Sequence, residues 1–91
     1  MLYDVVSAEY KGDYSILLTF ENGKSGIVDF EQFIKKGGVF EKLRDLTFFQ
    51  QFSINKELGI LYWNSNVDVA PEVLYSQATG EPLPDWMSLT A

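Results

Sequence analysis

The chain has 91 residues, 46% of them hydrophobic and 22% charged, with 13 acidic against 7 basic side chains and a formal charge of −6. That length holds a single domain built on one core, and the composition is that of an ordinary globular chain. Histidine and cysteine are both absent, which excludes disulfides, nearly all zinc sites, and Ser-His-Asp or Cys-His nucleophilic catalysis.

Val5 to Tyr10 alternates loosely, with Val6, Ala8 and Tyr10 on one side, and predicts a first strand. Lys11-Gly12-Asp13 predicts a turn. Tyr14 to Phe20 then sets Tyr14, Ile16, Leu18 and Phe20 on one face, a clean period of two. Glu21-Asn22-Gly23-Lys24 contains Asn-Gly, a strong hairpin signal because both central residues of the favoured turn accept positive φ. Ser25 to Asp29 completes a three-strand meander. Phe30, Phe33 and Ile34 share a helical face, with Asp29 as N-cap, Gln32 as a capping-box-like partner, and Gly37-Gly38 as the stop.

Phe40, Leu43 and Leu46 predict a second short helical turn. Phe48, Phe49, Phe52 and Ile54 lead into a fourth strand, Asn55 to Gly59 turns the chain, and Ile60 to Trp63 forms a fifth. After Asn64-Ser65-Asn66 a last short helix is expected, with Asp68 as N-cap, Pro71 in its first turn and Glu72 favourable near its positive end. Val73, Leu74 and Gln77 are expected to follow the sheet surface. The fold class is therefore α+β: a small single domain over residues 1–78 in the order β-β-β-α-β-β-α, with a mostly antiparallel five-stranded sheet and helices packed on it. Residues 79–91, which include Pro82 and Pro84, form an irregular tail.

The stretch from Trp63 to Tyr75 is the densest cluster of carboxylate, amide and aromatic groups. Asp68 and Glu72, four apart, would lie on one helical face, where paired carboxylates can bind Mg²⁺ or Ca²⁺ or act as acid and base; capping and dipole matching account for the same two residues without a ligand. Trp63 and Tyr75 either form an aromatic platform beside the turn or pack beneath the last helix. Tyr62 falls on the alternate, more exposed face. Trp86 and Leu89, in the tail, require a groove on this domain or on another chain. The candidate surface is thus Tyr62, Trp63, Asn66, Asp68, Glu72, Tyr75 and Trp86; no catalytic or metal-ligating set and no cofactor motif emerges.

Partners are bounded by charge. The one adjacent basic pair is Lys35-Lys36, too little for phosphate-driven binding, so no nucleic acid is expected for this domain alone. No apolar run approaches the ~20 residues of a spanning helix, and Met1-Leu2-Tyr3-Asp4 lacks the regions of a signal peptide. The cytoplasm is the expected location.

Phe20-x-x-Gly23, Gly26-x-x-Asp29-Phe30, Gly38-x-Phe40-x-x-Leu43, Phe49, and Trp63 through Asp68-x-Ala70-Pro71-Glu72-x-Leu74-Tyr75 together resemble the bacterial domain-of-unknown-function family 2442. The likeness spans roughly Val5 to Tyr75. It implies a small β-β-β-α-β-β-α domain without established enzymatic activity. Some members of that family are joined to a helix-turn-helix domain, which this chain lacks, and others are encoded beside another small protein. Two departures stand out: Asn64-Ser65-Asn66 replaces the usual Pro-Asn-Gly, with Asn the best substitute where φ is positive, and the tail extends past the usual core.

These readings converge on a non-catalytic protein-interaction or regulatory module, with a homodimer as one form because an open sheet leaves edges to cover. One alternative is an acidic, antitoxin-like partner of a basic protein encoded next to it. Another is a carboxylate-based metal or small-ligand binder using Asp68, Glu72 and Asp29.

Overall fold

The computed structural model describes residues 3–64 and 67–82. The predicted meander is present as β1 (Val5–Gly12), β2 (Ser15–Phe20) and β3 (Ser25–Asp29), all antiparallel. Its first strand departs from the simple alternation at two points, the second a register shift between Tyr10 and Gly12. At the first, the register slips between Val5 and Ser7, making Val6 the extra residue of a β-bulge. Val5 therefore takes the core position, 1% exposed, and Val6 turns outward at 48%, while Ala8 and Tyr10 pack against the core as expected. The Asn-Gly hairpin closes differently from the two-residue form. The Gly23 amide donates to the Phe20 carbonyl at 2.8 Å, and Gly23 at φ 90° takes the positive angle while Asn22 does not.

β3 runs into α1 (Glu31–Ile34), where the Asp29 carboxylate accepts the Glu31 amide at 2.9 Å and the Gln32 side chain reaches back to the Asp29 carbonyl. Gly37 and Gly38, both at positive φ, end the turn. A 3-10 helix (Gly38–Arg44) buries Leu43. Leu46, expected on that face, is instead exposed and begins α2 (Leu46–Phe49), which Asp45 caps by accepting the Thr47 amide. β4 (Ser53–Asn55) and β5 (Ile60–Trp63) follow as predicted. A two-residue strand, β6 (Val67–Asp68), and α3 (Pro71–Thr79) complete the described fold.

Among the described residues there are two three-stranded sheets, ordered β1-β2-β3 and β4-β5-β6. The expected single five-stranded sheet is thus corrected: β4 and β5 recruit β6 and form their own ladder. The Val5 amide donates to the Gly59 carbonyl at 2.8 Å across the seam between the sheets. A Cβ on Gly59 would come within 2.2 Å of the Asp4 side chain.

One core lies between the inner faces. Ile16, Leu18, Phe20 and Val28 from the first sheet and Leu61, Trp63 and Val67 from the second meet Phe30, Phe49 and Leu74. Aromatic contacts knit it: Trp63 stacks on Phe49 with ring centroids 5.7 Å apart and takes the edge of Phe30 at 5.5 Å. α3 closes over β3, where Gly26 leaves so little room that a Cβ would fall 2.0 Å from the Ala78 carbonyl oxygen.

Candidate functional site

Alternation along β5 sends Leu61 and Trp63 into the core and Ile60 and Tyr62 to the outer face. Trp63 is 1% exposed, and its indole N–H donates to the Phe49 carbonyl at 2.7 Å, satisfying the one polar atom the ring carries inward. The register places Tyr62 opposite Ser53 on one side and Asp68 on the other, with Asn55 opposite Ile60. Directly paired residues of antiparallel strands share a face, so Tyr62 and Asp68 stand side by side. With Asn55, Ile60 and Asn64 they line an open depression of about 260 Å³. The Asn55 side-chain oxygen already accepts the Glu57 and Leu58 amides at 3.0 and 3.1 Å, so its NH₂ is the group left to offer. Among the described residues, neither the Asp68 carboxylate nor the Tyr62 hydroxyl has a hydrogen-bond or ion-pair partner.

A second polar cluster sits at the end of α3. The Tyr75 hydroxyl accepts from the Asn22 side chain and donates to Glu81, each at 2.9 Å, and Glu81 pairs with Lys24. The hydrogen bond from Lys24, then that from Tyr75, holds the Glu81 carboxyl below the usual carboxylate value. The same contact with Glu81 raises the Lys24 ammonium. This cluster stitches the β2–β3 hairpin to the last helix. Its ring, Tyr75, is 5% exposed and packs edge-on against Phe20 and Tyr3.

Trp63 and Tyr75 therefore both lie in the core, the packed alternative of the two considered, and form no platform. Tyr62 is half-buried on the outer face. Asp68 does not cap a helix. It belongs to β6, and α3 begins at Pro71 with Ala70 at its N-cap and no side-chain cap. Asp68 and Glu72 consequently do not share a helical face; Glu72 lies in the first turn of α3 as expected. Asn66 and Trp86 lie outside the described residues. Among the described residues, no group of three or more His, Cys, Asp or Glu is placed to hold a metal ion. Asn55 and Ile60 line the depression without having been singled out in the sequence. The signal that could have found them is the Asn55-to-Gly59 turn, which sets them opposite each other.

Among the described residues no helix is long and apolar enough to cross a membrane. In comparison with known proteins, the family model described as "Protein of unknown function (DUF2442)" matches residues 5–80. No curated protein and no solved structure gave a match.

Proposed function

The chain belongs to the DUF2442 family of proteins of unknown function, and from that premise we propose that it is a non-catalytic protein-interaction module whose contact surface is the outer face of the β4-β5-β6 sheet. The observation that carries this reading is the pair Tyr62 and Asp68, side by side in a depression and without hydrogen-bond or ion-pair partners among the described residues. Polar side chains that serve stability here are bonded, as Asp29, Asp45 and Asn55 are; this pair is not. The face rests on the Trp63–Phe49 stack, a stiff backing suited to presenting fixed groups. A reducing, cytoplasmic setting belongs to the same proposal, since the fold relies on no disulfide.

The net charge of −6 favours a second, narrower form: an acidic, neutralising partner of a basic protein encoded beside it. Affinity capture from the host lysate with wild-type and Tyr62→Ser baits tests the general reading. A defined partner retained by wild type and lost by the variant supports it; identical recovery by both baits refutes the assigned surface. Co-expression with the neighbouring gene product tests the narrower form, which fails if the two do not associate.

A further inference from the structure

We infer that the Tyr62–Asp68 depression is a receptor for an arginine side chain presented by a basic segment of a partner protein. The inference rests on the interaction reading above and specifies what the surface takes. Three features of the depression match a guanidinium group. The Asp68 carboxylate, without a hydrogen-bond or ion-pair partner among the described residues, can accept the paired N–H donors of a guanidinium fork. The Tyr62 ring stands directly across from it in the register and offers a face on which a planar cation stacks, a contact that extends to about 6 Å from the ring centroid. Ile60 adds aliphatic lining for the methylenes of the arginine stem, and Asn55 and Asn64 add amide groups to the same lining.

Charge selects the occupant. The chain carries −6 overall, which draws a basic segment toward it and speeds encounter. A second copy is disfavoured by the same charge. This chain also holds a single arginine, Arg44, whose guanidinium lies 3.8 Å from Glu41. Lysine fits less well, because a compact ammonium neither forks onto a carboxylate nor stacks as a plane.

The test is an amide-resolved NMR titration of the full chain with four short peptides, identical except for arginine, lysine, citrulline or glutamine at one central position, at physiological salt. The expected result is saturable shifts for the arginine peptide, confined to residues 53–55, 60–62 and 67–68. The lysine peptide binds at least several-fold more weakly, and the citrulline and glutamine peptides do not bind. Asp68→Asn should weaken the arginine peptide at least tenfold, whereas Asp45→Asn, at an acid on another face, should leave it unchanged; the spectra themselves show whether each variant is folded. Shifts scattered over the acidic surface, equal affinity for lysine and arginine, or indifference to Asp68→Asn overturn the inference. Concentration-dependent shifts at the same residues without peptide overturn it too, since they assign the face to self-association. If no peptide binds but the captured partner is still lost with Tyr62→Ser, the arginine assignment alone fails. If that partner is retained, the interaction surface itself is wrong.

Discussion

Replacing Gly26 by alanine probes how α3 is seated. Gly26 lies in β3 without a positive φ, so no backbone strain opposes a side chain there, and alanine by itself would stabilise by about 0.4–1 kcal/mol through the unfolded chain. The obstacle is steric. The new Cβ would lie 2.0 Å from the Ala78 carbonyl oxygen and 2.7 Å from its carbon, both main-chain atoms, against a floor near 3.0 Å for real contacts. The helix must therefore withdraw by about 1 Å, a gap that forfeits about a quarter to a half of each contact it stretches. The contacts at risk include those of Leu74 and Tyr75, both buried. Overpacking of this kind costs about 1–3 kcal/mol, and the rigid neighbour puts this case at the upper end, for a net loss of about 2 kcal/mol. For a domain of this size that lowers Tm by about 8–16 °C, measured by thermal unfolding followed by circular dichroism. A Tm equal to or above wild type would refute the close seating of α3 on β3.

Three further outcomes follow from other parts of the fold. Trp63→Phe keeps a ring in the core but removes the donor to the Phe49 carbonyl, and should cost about 1–3 kcal/mol in urea unfolding because a buried acceptor loses its partner. Asp45→Ala removes the α2 cap at a cost of about 0.5–2 kcal/mol, whereas Asp68→Ala, at an exposed strand position without a capping role, should stay within about 0.5 kcal/mol of wild type; the reverse order would restore the helix-cap assignment for Asp68. Glu81→Gln should lower Tm near neutral pH. Because Glu81 is depressed below its ordinary value of 4.5, that stabilisation is present above this pH and is lost as pH falls through the folded-state value. Because Lys24 is raised above 10.5, it is also lost as pH climbs past that point, so the gap between wild type and variant should close at both extremes. A gap independent of pH would show that the pair is not its source.

The meander was legible because its signals are local: period-two alternation and an Asn-Gly turn act within a few residues of one another. The bulge at Val6 was not, since an inserted residue leaves the composition of the strand unchanged and appears only when the partner register is known. The division into two sheets was hidden for a related reason. Which strand neighbours which depends on where α1 and α2 carry the chain, and a two-residue strand such as β6 has no periodicity to read. Asp68 was misread because Asp before Pro71 mimics a helix start; the backbone instead spends Val67 and Asp68 on pairing with β5 and reaches the helix bare of a side-chain cap. The partners of Tyr75 were equally silent, Asn22 being 53 residues away. Of the depression, Tyr62 could be placed from alternation, while Asn55 and Ile60 needed the ladder.

The bond from Val5 to Gly59 has a mechanical meaning. Each sheet carries its own ladder, and among the described residues this backbone hydrogen bond ties β1 to the β4–β5 turn, while the packed rings of Phe30, Phe49 and Trp63 join the sheets through the core. The interdigitated rings, not the main chain, then set how stiff the joint is. Exchange of the Val5 amide with solvent deuterium thus acts as a gauge of opening at that joint.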